Sequence, residues 1–282
     1  MQPGPRQQDL SSTDLAELQR ASLEMAKYFR DFCQEHGLLF YLCGGCCIGA
    51  VRHKGFIPWD DDVDVFMPRD DYERFRELWP READTVRYPL VESDEHLVNG
   101  EIFATIRDTQ TTFVKTRQEG LDMPHGIVLD VIPLDGCPEG SARKKQKLWA
   151  SVYSLFRSQV IPETHGGLLA SGSKALLDII RSPHGRYRMW RKAEREMTQY
   201  RIEDCEKITE LVTGPRYMQN EFPKEIFASA IMVPFEDTEM PIPVGYDAYL
   251  RTVFGDYMQL PPEDQRRPHH DVVFMDLHKP CV

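Results

Sequence analysis

Apolar residues return at helical spacing from Asp14 onward: Leu15, Leu18, Met25, Phe29 and Phe32 share one face of a 3.6-residue repeat. Thr13 or Asp14 can cap the start of this helix, and Gly37 can end it in a left-handed conformation. Leu38 to Cys43 reads as a buried strand broken by Gly44-Gly45, with a short helix through Ala50 after it. Arg52 to Pro58 reads as a loop. Val63 to Phe66 is the next strand, stopped by Pro68. Asp70 or Asp71 can cap a helix carrying Tyr72, Phe75 and Leu78. Ile102–Arg107 and Thr111–Val114 read as a pair of strands around Asp108-Thr109-Gln110. Ile127–Ile132 reads as another strand, closed by Pro133, with Asp135 in the turn beyond.

Helices dominate the second half, from Ser141 to about Val160 and from Tyr187 to Leu211. Gly166-Gly167 and Ser171-Gly172-Ser173 mark a flexible stretch. Phe227–Val233 and Met240–Val244 suit a late hairpin around Glu236-Asp237. The pattern as a whole is α/β: a small mixed sheet with flanking helices, then a mostly helical second half.

A chain of 282 residues that is 41% hydrophobic, with four Trp, can bury a core. The longest apolar run, Leu38–Cys43, is too short to span a bilayer, and the first residues show no apolar leader. The expectation is a cytoplasmic protein. A net charge of −11 argues against a nucleic-acid partner, whose phosphates want a basic face. Two basic groups stand out against it: Arg143, Lys144, Lys145 and Lys147, and Arg181, Arg186, Arg188, Arg191, Lys192 and Arg195. The second follows apolar Leu168, Leu169, Leu176, Leu177, Ile179 and Ile180. Leu168–Arg195 therefore suits either peripheral contact with a membrane face or a core helix followed by a solvated one. Seven cysteines without a secretory signal are expected to be reduced. Cys43-Gly44-Gly45-Cys46 has the C-x-x-C spacing, but no second such pair completes a zinc site, so structural cysteines are the simpler reading.

The most informative stretch is Trp59-Asp60-Asp61-Asp62-Val63-Asp64-Val65. On a strand, Asp62 and Asp64 point to one face and the valines to the other. Carboxylates spaced about 7 Å apart repel unless a cation sits between them. All-oxygen donors select a hard divalent ion, Mg2+ or Mn2+. Asp60 and Asp61 read as solvated loop residues. Asp130 sits in an apolar strand, where a charge needs either a function or an Arg partner. Gly44 and Gly45 allow a tight turn and close approach of phosphate. Arg52, His53 and Lys54 bring positive charge that either grips a diphosphate or is solvated. Trp59 is a stacking surface for a base or a quaternary ammonium, or else core packing. His269 and His270 fit a polar loop better than a site.

The run from Gly44 through Cys46-Cys47-Ile48-Gly49, Arg52-His53-Lys54-Gly55-Phe56 and Pro58-Trp59 to Asp64 resembles the signature of the LicD family. These are phosphorylcholine-transferase-like proteins of the nucleotidyltransferase superfamily, related to the fukutins. Asp130-Val131-Ile132-Pro133-Leu134-Asp135 also resembles the family, as does Phe254-Gly255-Asp256-Tyr257-Met258 through Pro261 to His269-His270. Cys46-Cys47 departs from the more usual Thr and Leu, at positions expected to pack. Residues 1–12 are polar and read as a disordered tail, and the resemblance implies a nucleotidyltransferase-type domain over 13–282. Its catalytic core would cover about 38–135 and a helical extension about 139–282. It implies that Asp62, Asp64 and Asp130 hold one or two Mg2+ ions, with Asp130 able to take the proton of an attacking hydroxyl. It implies a CDP-alcohol donor, phosphocholine-like, and a glycan or lipid-linked glycan acceptor. The rivals are transfer of NMP to a small molecule and a non-catalytic binding protein of the same fold.

Overall fold

Helix α1 (Ser12–Glu35) buries Leu18, Met25, Phe29 and Phe32, the apolar face that its spacing dictates. Gly37 follows with φ +60, as a left-handed helix ending requires. The computed structural model describes residues 12–160, 167–214, 217–268 and 272–281. The expected tail at 1–12 lies almost wholly outside these residues. The chain forms two compact units, one of residues 1–91, 104–133 and 223–282, the other of 92–103 and 134–222.

The first unit contains the strands that carry the acidic motifs, and their supports. The run after Gly37 pairs only at β1 (Tyr41–Leu42) and passes directly into α2 (Gly44–Arg52). Strand β2 (Val63–Pro68) buries Val63 and Val65 and leaves Asp64 partly accessible, as alternation predicts. Helix α3 (Arg69–Glu82) places Asp70 and Asp71 in its first turn and has Pro68 as N-cap, so neither Asp is the cap expected. Its Phe75 and Trp79 meet Phe29 at ring-centroid distances of 5.5 and 5.8 Å, joining α3 to α1. Strands β3 (Leu90–Val91) and β4 (Ala104–Asp108) lead to β5 (Thr112–Lys115) and the long β6 (Ile127–Cys137). The sheet order here is β1-β2-β6-β4-β3, so β2 and β6 are neighbours. β4 and β5 are both strands, but not a hairpin. β4 pairs with β3 and β6, whereas β5 pairs with a strand from the end of the chain.

β6 does not stop at Pro133. Residues 127–131 pair with β4 and residues 134–137 pair with β7, so Pro133 falls at the changeover, where neither of these ladders asks for its missing N–H. Asp135 is consequently a fully buried strand residue and not a turn residue.

In the second unit, α4 (Gly140–Ser158) packs on α6 (Pro183–Met197), with Ala150, Tyr153, Phe156, Trp190, Ala193 and Met197 buried. Helix α5 (Gly167–Ile179) runs through Ser171-Gly172-Ser173, expected to be flexible. One helix-interior glycine costs only about 1 kcal/mol among good helix formers. Gly166 lies outside the described residues. α6 ends at Met197, well short of Leu211. Ile208 and Thr209 instead belong to β7 (Lys207–Glu210), where β-branched side chains suit the edge of β6. β7 also pairs with β8 (Phe222–Pro223).

Back in the first unit, β9 (Ala230–Phe235) and β10 (Thr238–Pro243) form the expected hairpin around Glu236-Asp237. Helix α7 (Tyr246–Phe254) and β11 (Val272–Asp276), the partner of β5, complete it. The mixed α/β class holds, although the second half carries strands β7–β11 beside its helices. Among the described residues no helix is long and apolar enough to cross a membrane.

Candidate active site

The glycine turn and the carboxylates come together because β1 and β2 are antiparallel neighbours. Leu42 faces Val65, and the Cys43 amide donates to the Asp64 carbonyl at 3.0 Å. α2 therefore starts directly beside Asp64. Gly44 has φ +52, a conformation that favours glycine. A Cβ on Gly45 would lie 2.4 Å from Asp60 Oδ2, so only glycine admits that carboxylate. Asp60 and Asp61 are buried, at 6% and 5% exposure, which corrects their reading as a solvated loop. The Asp60 carbonyl also accepts from Gln19 Nε2 of α1, which pins the segment from behind.

Asp64 on β2 and Asp130 on β6 occupy adjacent strands. Asp64 keeps some solvent access, yet the protein packed around its carboxyl drives its pKa well above the usual carboxylate range. The neighbouring charges of Asp62, Asp130 and Asp60 push it the same way, and Lys115 of β5 pulls against them. Three carboxylates thus act together on Asp64. Asp62 immediately precedes β2, and its carbonyl accepts from the Cys46 thiol at 3.5 Å. Asp130 is 7% exposed and faces Thr105 of β4 in register.

The basic residues divide in role. Arg52 ends α2 and donates through Nη1 to the carbonyls of Tyr257 (2.6 Å) and Gln259 (3.2 Å), so it anchors the chain after α7. Burial lowers the His53 pKa and Arg52 lowers it further, so His53 is neutral near pH 7 and adds no charge. Lys54 is exposed and left-handed, with φ 59, and its carbonyl accepts from the Glu236 amide at 2.8 Å. Trp59 is half-buried, has His53 at its edge, and carries the Arg266 guanidinium 5.7 Å from its centroid. Burial lowers the Arg52 pKa, Arg266 lowers it further, and Asp60 opposes both.

Cys43 and Cys46 are free and buried, and burial with the adjacent carboxylates raises both thiol pKa values well above normal. A reactive thiol needs the opposite, so both are structural. His269 and His270 lie outside the described residues.

The model for the LicD/FKTN/FKRP nucleotidyltransferase domain matches residues 37–156. The lipopolysaccharide cholinephosphotransferase LicD of Haemophilus influenzae is 32% identical over 268 residues, 91% of this chain and 96% of that protein. The chain belongs to the LicD family. The ribitol 5-phosphate transferases FKRP of mouse and human are 37% identical over 67 residues, 24% of this chain but only 14% of theirs. The LicD signature from Gly44 to Asp64 is thus one folded turn, helix, loop and strand around a carboxylate cluster.

Four residues of this site escaped sequence reasoning. Asp60 was hidden in a run of three Asp. Lys115, Tyr249, whose hydroxyl accepts from the Gly44 amide at 2.9 Å, and Arg266 come from a strand, a helix and a loop elsewhere in the chain. Arg266 lies inside the final LicD-like segment, which was the available signal for it.

Proposed function

We propose that this LicD-like phosphotransferase moves a phospho-alcohol group, of the phosphocholine kind, from a CDP-activated donor to a sugar hydroxyl of a cell-surface glycan precursor. The observation that carries the reading is the near-full-length likeness to a cholinephosphotransferase of lipopolysaccharide. Asp64 and Asp130 on adjoining strands beside a glycine turn support a nucleotidyltransferase-type core.

A divalent cation, Mg2+ or Mn2+, fits the donor chemistry. Asp60, Asp62, Asp64 and Asp130 offer only hard oxygens, and their mutual repulsion favours a positive charge among them. Two or three carboxylates leave Mg2+ coordination incomplete, and substrate phosphates normally complete it. When bound, such an ion supplies positive charge against the phosphate oxygens. Asp130 takes the proton of the acceptor hydroxyl as its oxygen bonds to phosphorus and the bond to CMP breaks. Lys115 supplies a positive charge that acts on Asp64, and Trp59 a face that attracts cations.

Incubation with Mg2+, a glycan acceptor, and CDP-choline among a panel of CDP-alcohols tests this. Free CMP and a phospho-alcohol on the acceptor are expected. CMP found on the product would replace the reading by nucleotidyl transfer, and donor binding without turnover would replace it by a binding role. A cytoplasmic position, with contact at the inner membrane face through Leu168–Arg195, belongs to the same proposal. In that stretch Leu176 and Ile179 are exposed, whereas Arg186 is tied to Gln159 and to the carbonyls of Leu177 and Ile180. Absence of co-sedimentation with anionic vesicles at low salt would remove the membrane contact.

A further inference from the structure

Helix α2 begins without a cap of its own. Its N-cap residue, Cys43, makes no side-chain cap hydrogen bond. A helix start leaves amides that need acceptors, and a buried one left unmet is unfavourable. The acceptor for Gly44 comes from 205 residues along the chain: its amide donates to the Tyr249 hydroxyl at 2.9 Å. Tyr249 lies on α7, is 2% exposed, and packs its ring on Phe66 and Phe227 at 5.7 and 5.5 Å. Phe66 belongs to β2, two residues after Asp64. One side chain thus touches both halves of the site: its hydroxyl the glycine turn, its ring the strand of the carboxylate. The far end of α2 is held from the same stretch, through Arg52 on the carbonyls of Tyr257 and Gln259.

We propose that Tyr249 is a positioning residue, an acceptor supplied in place of a local helix cap, that fixes the left-handed Gly44 against Asp64. A Cβ at Gly44 would lie 3.7 Å from Asp64 Oδ2, so the turn and the carboxylate are in contact range. Rotation of this one peptide alters the space between them. The consequence for catalysis rests on the phosphotransfer reading above; the consequence for the turn does not.

Tyr249→Phe removes the hydroxyl and keeps the ring packing. Two measurements on the full chain are decisive. With glycine-selective 15N labelling, the wild-type Gly44 amide is protected from hydrogen exchange, and in Y249F it exchanges at least about tenfold faster. A wild-type Gly44 amide that exchanges as freely as an exposed one overturns the proposal, whatever the substrate and whether or not the variant folds. With CDP-choline, Y249F loses about tenfold or more in kcat/KM for the donor, with the acceptor KM and the melting temperature close to wild type. Unchanged donor kinetics beside an active wild type, or a lowered melting temperature with unchanged kinetics, reduces Tyr249 to a packing residue and overturns it. An inactive wild type with the exchange result intact strikes the function reading alone.

Discussion

Replacing Glu210 by Gln is expected to stabilise the protein at neutral and alkaline pH and to change little in mild acid. Glu210 ends β7 and is 2% exposed. Its Oε1 accepts from the amides of Val212 and Thr213, whereas Oε2 has no hydrogen-bond partner among the described residues. Burial pushes its pKa up to about 7. The hydrogen bonds from Thr213 and Val212 restrain that rise, and Asp135 on β6 adds to it. The folded value exceeds the ordinary 4.5, so the contribution to stability is complete below about pH 4.5 and is lost as the pH rises through about 7. At about 1.4 kcal/mol for each pH unit, the gap corresponds to about 3 kcal/mol. Gln keeps an oxygen for both amides and never ionises. Urea unfolding of both proteins at about pH 5 and about pH 8 measures the effect. E210Q should gain about 2–3 kcal/mol on wild type between those two conditions. Parallel stability curves for the two proteins would refute the argument.

Asp62→Asn and Asp64→Asn should each lower turnover at least about 10²-fold with the circular dichroism spectrum intact. A folded variant with wild-type activity would remove that residue from the site, and the same holds for Asp60→Asn. Calorimetry should show Mg2+ bound weakly by the protein alone and more tightly with CDP-choline present, because phosphate completes the coordination; equal affinity in both conditions contradicts this. Gly45→Ala drives a Cβ to 2.4 Å from Asp60 Oδ2 and should cost about 1–3 kcal/mol in stability, seen as an earlier urea midpoint. An unmoved midpoint would mean that Asp60 has room to yield.

What the sequence disclosed was local. Val63-Asp64-Val65 alternates, and alternation survives into β2 because both faces of a strand are fixed by its neighbours. Gly37 and the Glu236-Asp237 turn were legible for the same reason: their conformations are set within a few residues. The misses depend on partners distant in sequence. Asp60 is buried because Gly45, fifteen residues earlier, leaves space for it, and nothing in a run of Asp reveals that. Pro133 looked like a strand end, since the change of partner from β4 to β7 that tolerates it is a property of the sheet. Ile208 and Thr209 extended a helical pattern until pairing with β6 overrode it. His53 looked like a cation, but burial and Arg52 keep it neutral.

The family model ends at residue 156, yet the likeness to the Haemophilus protein spans 91% of this chain, and the bonds around the site give a physical reason. Several parts of the glycine–carboxylate segment and its supports lean on residues beyond 156. The Gly44 amide needs Tyr249, Arg52 needs the Tyr257 and Gln259 carbonyls, and the Phe56 amide needs Glu236 Oε1 at 2.9 Å. The Tyr41 hydroxyl donates to the Phe227 carbonyl, and Lys115 faces Val272 across β5 and β11. A buried polar group that loses its partner costs about 1–3 kcal/mol. Several such losses together match the whole stability of an ordinary domain, about 5–15 kcal/mol. A fragment of residues 37–156 is therefore expected to show no cooperative urea transition and no Mg2+-dependent donor binding. A fragment that unfolds cooperatively and binds CDP-choline as the full chain does would show that the C-terminal elements are accessory. The hydrogen bonds point the other way: residues 223–282 are part of the unit that builds the candidate site.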